Sequence, residues 1–299
     1  MYRELGDTLG AARSLCTLAS VERDNGEYAT ARAMVKEALP ILQASNDLFQ
    51  VARALGCLGM IEQQERNDAE AEALLEQAVT MYRICGHKKG TAWSLCTLAS
   101  VVQNRSLTAS RARFEEGLLL ARALEDDELI IHALYNLASI AEAEGDLPRS
   151  LSRLQEASQA AKVTGISALE AMLAAWQGDL TLELGDDANA RLFYTQAVQY
   201  CRHTDMTECL VGTVRCVARY QIERGNPAPA LHLLAAIDPH KALYLDTPER
   251  HRERTRLDLD LLRESVGEST FAAEWRFGEA MSLQQALEYA AALLRDPEE

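Results

Sequence analysis

The sequence predicts an all-α protein that folds as a solenoid of about six helix–turn–helix repeats, followed by a C-terminal helical cap. Two observations carry this prediction. The 299-residue chain is rich in Ala, Leu, Glu and Arg, and it contains only 7 prolines and 16 glycines, a composition that favours helix throughout. In addition, the octapeptide SLCTLASV occurs twice, at 14–21 and at 94–101, so one segment of structure recurs along the chain.

The repeated octapeptide belongs to a longer register with a period of 39 or 40 residues. Each unit has an anchor that is followed at once by a small residue, and the anchors are Leu18, Leu58, Leu98, Leu137, Gln177 and Val217. The fifth unit departs from the pattern, because Gln177 stands where leucine is expected. Leu15, Leu18 and Val21 are three residues apart and therefore share one helix face. We interpret SLCTLASV as a packing face that two repeats both need.

Turn residues separate the two helices within each unit. Eight residues past the anchor, five units place Gly26, Arg66, Gly145, Gly185 and Gly225. A glycine at this position predicts a helix C-cap with positive φ. Asp146 and Asp186 are predicted to cap the second helices that follow. A small residue is predicted to open each second helix, at Ala31, Ala71, Ser110, Ser150, Ala190 and Ala230.

The register stops after Ile237, so the sequence predicts a repeat domain over 1–240 and a different segment over 241–299. The segment DPHKALYLDTPER, residues 238–250, is predicted to connect the repeats to the C-terminal helices. Thr247-Pro248 is a good helix start, and the first helix is predicted to end at Gly267. A second helix is predicted from Ser269 or Thr270 through Trp275, and a third from a capping box at Ser282 and Gln285 to about Leu294. We interpret 241–299 as a cap on the last repeat, with a docking segment for a partner as the alternative.

The register resembles the tetratricopeptide repeat (TPR). The resemblance rests on the pair of leucine and small residue, the glycine eight positions later and the small residue five positions beyond, as in Leu137-Ala138, Gly145 and Ser150. It covers roughly 7–240 and implies a right-handed α-solenoid. The spacing exceeds the usual value of about 34 residues, which implies longer helices.

A narrower resemblance covers essentially the whole chain. YRELGDTLGAARSLCTLA near the N-terminus and STFAAEWRFGEAMSLQQALEYAAALL near the C-terminus look like the C-terminal TPR arm of bacterial signalling (STAND-type) ATPases and LuxR-like transcription regulators. In that family the arm senses an inducer or partner and restrains the ATPase. The resemblance therefore implies a sensor or regulatory arm. The phosphate-binding pattern G-x-x-x-x-G-K-[ST] does not occur in this sequence.

Composition and motifs argue against several other classes. A net charge of −15 argues against direct nucleic-acid binding, and the sequence has no run of 18 apolar residues that would predict a membrane helix. Seven cysteines without a CxxC motif indicate a cytoplasmic protein with buried thiols, for which redox sensing is the alternative. The six histidines form no metal-binding pattern, and no catalytic motif is present, so the sequence predicts no enzyme, metal or cofactor.

The resembled repeat implies a concave groove lined by the first helix of each unit. Its inward positions give the candidate ligand-binding residues Arg13, Arg53, Trp93, His132, Tyr135, Arg215 and Arg219. Arginine offers paired donors to a carboxylate or phosphate, and Trp or Tyr can anchor a partner. We expect the ligand to be a protein or peptide, or else a small anionic effector. In the alternative interpretation, the arginines pair with acids of neighbouring helices such as Asp179 or Glu223.

Three functions fit these expectations. The first is the sensor arm of a signalling ATPase or transcription regulator. The second is a free-standing scaffold that assembles other proteins. The third is a binding domain like that of a peptide-pheromone receptor. The groove alone supports only a binding solenoid, and the resemblance favours the first function.

Overall fold

A computed structural model describes residues 7–240 and 249–295, except for the side chains of 249–255. Within these ranges the chain forms fifteen α-helices and no strand, as predicted. The chain divides into two compact units, residues 1–145 with α1–α7 and residues 146–299 with α8–α15. The helices are α1 (Thr8–Asp24), α2 (Tyr28–Ala44), α3 (Leu48–Gln64), α4 (Asp68–Ile84), α5 (Lys88–Val102), α6 (Leu107–Ala123), α7 (Asp127–Ala143), α8 (Leu147–Thr164), α9 (Ser167–Glu183), α10 (Asp187–Cys201), α11 (Thr207–Glu223), α12 (Pro227–Ile237), α13 (Glu249–Val266), α14 (Glu268–Glu279) and α15 (Leu283–Leu293).

The predicted turns are confirmed. The four glycines and Arg66 that follow the anchors all have positive φ, between 65° and 83°. The side chains of Asp146 and Asp186 accept hydrogen bonds from the backbone nitrogens of Arg149 and Asn189, at 3.1 and 3.2 Å, and so cap α8 and α10. Asn46 and Glu125, between repeats, also adopt positive φ, which was not predicted from the sequence.

Small residues set the distance between the two helices of a repeat. The six predicted to open the second helices are fully buried, but each lies at the fourth residue of its helix rather than at the first. This one-turn difference brings them against the first helix. The small residues after the anchors are equally tight: a Cβ on Gly59 would lie 2.7 Å from Cγ of Leu75. Larger side chains at these positions would separate the helices.

The two copies of SLCTLASV have different environments. In α5, Leu98 and Val101 are each 3% exposed, because Ala71 and Leu75 of α4 cover them. In α1, Leu18 is 50% exposed and Val21 is 51% exposed. Among the described residues, no helix equivalent to α4 packs on this face of α1. The packing-face interpretation is therefore confirmed for the second copy and not for Leu18 and Val21 of the first.

The unusual anchor of the fifth repeat keeps its place in the register. Gln177 of α9 is buried like the anchors Leu58, Leu98 and Leu137. Its Nε2 donates hydrogen bonds to the carbonyl oxygen of Leu154, at 2.9 Å, and to Oγ of Ser158, at 2.6 Å. Two acceptors on α8 thus offset the cost of burying an amide.

The C-terminal helices pack on the last repeat. The predicted end of α13 at Gly267 and the capping box of α15 are both confirmed, whereas α14 begins one residue early and continues past Trp275 to Glu279. Phe271 of α14 and Leu287 of α15 join the same apolar core as Leu231 of α12. Most of the predicted connector and the start at Thr247-Pro248 lie outside the described residues, and the domain boundary near residue 240 stays a prediction.

Candidate functional site

The predicted groove residues of the first unit lie on four first helices, α1, α3, α5 and α7. Two contacts join them in neighbouring pairs. Nη2 of Arg53 donates hydrogen bonds to the carbonyl oxygen of Arg13, at 3.0 Å, and to Oγ1 of Thr17, at 3.2 Å. The rings of Trp93 and His132 lie with their centroids 5.6 Å apart. The structure therefore brings the two arginines together on α1 and α3, and the two aromatic rings together on α5 and α7.

A polar cleft of about 450 Å³ opens between α1 and α3, beside the arginine pair. Its walls are formed by Asp7, Leu9, Gly10, Arg13, Ser14, Thr17, Gln50 and Arg53. Two polar atoms in its wall, Oε1 of Gln50 and Nε of Arg53, are buried without a hydrogen-bond partner in the protein. Buried polar atoms are nearly always satisfied by protein, water or ligand. Two residues of the cleft wall therefore each keep one buried polar atom that no protein group satisfies.

The charges of the two arginines are balanced differently. Nη2 of Arg13 forms an ion pair with Asp47 at 2.6 Å, so an acid of the neighbouring repeat already holds it, as in the alternative interpretation. The acceptors of Arg53 Nη2 are two neutral oxygens, and they do not neutralise its guanidinium. Arg53 is therefore the better placed of the two to attract an anionic group.

His132 is the titratable group of the aromatic pair. Its ring contacts Trp93 and also Phe114, whose ring centroid is 6.2 Å away, and Nδ1 of His132 is buried without a hydrogen-bond partner. Burial lowers the pKa of His132, and the nearby carboxylate of Glu128 only partly opposes this shift. The His132 ring is therefore neutral at pH 7. Together with the ring of Trp93 it forms a surface of two neighbouring aromatic rings.

We expect the depressed pKa of His132 to make the first unit less stable in mild acid. The unfolded chain takes up a proton near pH 6.5 that the folded chain binds only at lower pH, so stability is lost as the pH falls below about 6.5. Urea titrations between pH 7.5 and 5 should show the free energy of unfolding falling with pH. His132→Gln, which does not titrate, should have a shallower slope, and an unchanged slope would contradict the assignment.

The predicted residues of the second unit, Arg215 and Arg219, lie on α11 and have different surroundings. Arg219 is buried, and its Nη2 lies 3.7 Å from carboxylate oxygens of both Glu183 and Glu223. This pairing with Glu223 is the one considered in the alternative interpretation. Nη2 of Arg215 lies 3.7 Å from the sulfur of Cys216. A ligand-binding role for these two residues, and for Tyr135, stays a prediction.

Asp179, the other acid named in that alternative, takes part in a buried hydrogen-bond network. Its carboxylate is buried, and it accepts a hydrogen bond from the hydroxyl of Tyr194 at 2.8 Å and one from the thiol of Cys216 at 3.4 Å. Burial and the charge of Asp179 raise the pKa of Tyr194 well above its ordinary value, so the hydroxyl remains a donor. This network is structural and was missed because its three members are far apart in sequence.

A second polar cleft, of about 480 Å³, lies between α8, α9 and α10 in the second unit. Four glutamine side chains, Lys162, Glu170 and the rings of Phe193 and Tyr200 are among its walls. The one sequence feature that could have indicated this cleft is Gln177. A polar residue at an anchor position needs polar groups around it, and such groups line the cleft.

The thiols expected to be buried are confirmed as such for Cys16, Cys57 and Cys96. Burial raises the pKa of Cys96 to about 12, which keeps this thiol protonated. Among the described residues, no three His, Cys, Asp or Glu side chains are grouped to hold a metal ion. In the same part of the chain, none of the helices combines the length and apolar character that crossing a bilayer requires.

Comparison with known sequences gives one curated relative and no matching family model. The chain is 34% identical over 110 residues to the regulatory protein AfsR of Streptomyces griseus. This match covers 36% of the chain and 11% of AfsR, so the chain corresponds to a small part of that protein.

Comparison with solved structures addresses the fold. A signal transduction ATPase with numerous domains from Pyrococcus horikoshii, which has a tetratricopeptide repeat sensor, matches with a TM-score of 0.57 at 16% identity. That match covers 94% of this chain and 41% of the ATPase. The fold is that of a tetratricopeptide-repeat protein. The narrower resemblance to STAND-type regulators agrees with both this TPR neighbour and AfsR.

Two Rap proteins also share the TPR-like fold. One, complexed with Competence and Sporulation Factor, has a TM-score of 0.64 at 14% identity, covering 94% of this chain and 76% of the other. The other is the Rap conjugation gene regulator of plasmid pLS20 in complex with the Phr* peptide, with a TM-score of 0.54 at 15% identity over 96% of this chain and 73% of the other. At these identities, the neighbours establish the fold of the TPR chain and nothing further.

Proposed function

We propose that this TPR chain is the sensor or regulatory arm of a bacterial signalling ATPase or transcription regulator, acting in the cytoplasm. Its task is to bind a protein or peptide segment on the first helices of the first unit, without catalysis. The partial match to AfsR and the repeat sensor of the Pyrococcus ATPase support the regulatory setting. The Rap regulator in complex with the Phr* peptide supports a peptide as the ligand class.

The observation that carries the proposal is the polar lining of the α1–α3 cleft, in which the side chains of Gln50 and Arg53 each keep one buried polar atom that no protein group satisfies. Rotation of these side chains toward the cleft would let Oε1 of Gln50 accept a hydrogen bond from a peptide N–H and Nε of Arg53 donate one to a carbonyl or carboxylate oxygen. The guanidinium of Arg53 adds attraction for an acidic side chain, because its observed acceptors are neutral. An extended peptide supplies all of these groups.

The aromatic pair on the next helices extends this surface. Adjacent packed helices are about 8–10 Å apart, which an extended chain spans in about three residues. A peptide with an acidic residue at Arg53 would therefore place its third or fourth neighbour near Trp93 and His132. Their neutral rings suit an apolar or aromatic side chain. A small anionic effector at Arg53 is the second candidate, favoured by the same uncompensated guanidinium.

Peptide selection tests the proposal directly. A random peptide library displayed on phage would be selected on the immobilised chain, and binding of synthetic versions measured by fluorescence anisotropy. We expect selected sequences to share an acidic residue and an apolar residue about three positions apart. Arg53→Ala should weaken binding of the selected peptides at least tenfold, because the acidic residue of the motif loses its partner. Trp93→Ala should also weaken binding at least tenfold, because the apolar residue of the motif loses its contact.

The matched control is Arg111→Ala. Arg111 carries the same charge as Arg53, but it forms an ion pair with Glu144 at 2.8 Å and lies on the second helix α6 rather than on a first helix. Its loss should leave peptide affinity unchanged. Equal losses in the Arg53 and Arg111 variants would indicate general electrostatic attraction, and selected peptides that bind both variants like the parent would remove the cleft from the binding site.

A further inference from the structure

Two cysteine sulfurs lie against each other where α10 joins α11. Cys201 is the last residue of α10 and Cys209 the third of α11, and their Sγ atoms are 3.0 Å apart. The loop between these helices has five residues, 202–206, whereas the other loops among α1–α12 have two to four. Neighbouring thiols at this distance need only a small movement to reach the bonded separation of about 2 Å.

The contacts around the pair give its two members different roles. Oγ1 of Thr213 lies 3.1 Å from the sulfur of Cys201. Hydrogen bonding from Cys209 is the main cause of a lowered pKa for Cys201, and the same bond together with burial raises the pKa of Cys209. The Thr213 hydroxyl and the Cys209 thiol can both donate to the sulfur of Cys201 and so stabilise its thiolate. Because the thiolate is the nucleophile in thiol oxidation, we assign Cys201 as the attacking sulfur and Cys209 as the resolving thiol.

Access limits which oxidant can reach the pair. Cys201 is 1% exposed, whereas Cys209 is partly exposed beside the carbonyl oxygen of Ala168. A bulky disulfide reagent would not approach the sulfur of Cys201 without opening the junction, whereas hydrogen peroxide, with only two heavy atoms, needs far less room. We propose that Cys201 and Cys209 form a reversible oxidation site, which hydrogen peroxide converts into a disulfide across the α10–α11 junction.

The chemistry needs one peroxide molecule for each pair. The sulfur of Cys201 attacks one peroxide oxygen, the O–O bond breaks, and the departing hydroxide leaves as water with the thiol proton. Cys209 then attacks the sulfenic sulfur of Cys201. The S–S bond forms as the S–O bond breaks, and the hydroxyl group leaves as a second water with the proton of Cys209. Two thiols lose two electrons in total, and peroxide accepts them.

The disulfide would hold the start of α11 against the end of α10. At present only the loop connects these two residues covalently, and an ion pair of Arg202 with Glu288 of α15 lies beside it at 2.6 Å. α11 carries Arg215 and Arg219, so oxidation acts on the helix that bears the predicted ligand residues of the second unit.

Peptide mapping would detect the bond unambiguously. Trypsin cleavage after Arg191, Arg202 and Arg215 places the two cysteines on separate peptides, 192–202 and 203–215, and Cys216 on a third. The reduced full chain would be treated with one equivalent of hydrogen peroxide, blocked with iodoacetamide and digested without reductant. We expect a linked 192–202/203–215 species, two hydrogens lighter than the sum of its peptides, which dithiothreitol reverses.

Two variants separate this site from general thiol oxidation. Cys209→Ser should lose the link and accumulate a sulfenic acid on 192–202 that dimedone labels, with an unchanged circular dichroism spectrum. Cys85→Ser removes an exposed cysteine outside the pair and should leave the link unchanged. Oxidation of Cys85 in the parent chain with peptides 192–202 and 203–215 remaining unlinked would overturn the proposal, as would links that join Cys216 instead.

Discussion

Gly278→Ala is expected to loosen the C-terminal helices from the last repeat and to cost about 3 kcal/mol of stability. Gly278 of α14 lies against the backbone of α12. A Cβ at this position would be 2.3 Å from the carbonyl oxygen of His232 and 2.7 Å from Cβ of Ala235. A backbone atom cannot rotate away as a side chain can, so α14 as a whole must shift, and overpacking of this kind costs about 1–3 kcal/mol or more.

Such a shift would also disturb the other contacts that hold α14. Nε2 of His232 lies 2.5 Å from a carboxylate oxygen of Glu274, and the His232 ring packs against Phe277 at a tilt of 40°, with the ring centroids 4.4 Å apart. Urea unfolding followed by circular dichroism would measure the loss of stability, and hydrogen exchange should show faster exchange in α14 and α15 than in α1–α7. Equal exchange in the variant and the parent would mean that the close approach does not hold these helices.

Gly212→Ala is the matched control. Gly212 also lies inside a helix, α11, but a Cβ there would meet no atom within 4 Å. Alanine has a higher helix propensity than glycine, so this variant should be neutral or more stable by about 0.5–1 kcal/mol. If the free energy of unfolding falls for Gly278→Ala and does not fall for Gly212→Ala, then the contact of Gly278 with α12, rather than the loss of a helical glycine, causes the destabilisation.

Tyr194→Ala is expected to give the largest loss of stability in the second unit, about 3–5 kcal/mol. The side chain of Tyr194 is fully buried, its ring fills the space that the missing side chain of Gly178 leaves, and it lies 5.4 Å from the ring of Tyr220. Removal would leave a cavity between α9, α10 and α11. It would also take away the hydroxyl that donates to the buried carboxylate of Asp179.

Tyr194→Phe isolates the hydroxyl from the ring. It should cost about 2 kcal/mol, because the carboxylate of Asp179 would stay buried with one donor fewer. Tyr220→Phe is the comparison: its hydroxyl donates at 3.2 Å to Asp187, whose side chain is 48% exposed and can bond to water instead. Chemical denaturation of the three variants would test this order, and a smaller loss for Tyr194→Phe than for Tyr220→Phe would contradict it.

The local features of the fold were predictable because each depends on neighbouring residues. Glycine after a first helix needs no distant partner to adopt positive φ, and Asp146 caps a backbone nitrogen three residues away. The capping box at Ser282 is local in the same way. The repeat period added the pairing of helices, since a fixed spacing of apolar anchors implies that each unit packs in the same way.

The candidate site could be predicted only in part. Inward positions of a repeat indicated which helix face to examine, and the structure brings Arg13 close to Arg53, and Trp93 close to His132. Which of these charges is already neutralised depends on residues 34 or more positions away, as for Arg13 and Asp47. The sulfur contact of Cys201 with Cys209 depends on the path of a five-residue loop.

The sequence by itself determined that this chain is a TPR-like solenoid of six repeats, because helix propensity, turns and period act over short distances. Only the tertiary structure decided what each repeated residue does. Identical octapeptides have a buried leucine at Leu98 and a half-exposed one at Leu18, since burial depends on the helix that covers a face and not on the residues within it. The same reason applies to the arginines, whose free or paired state is set by the acids that the fold brings to them.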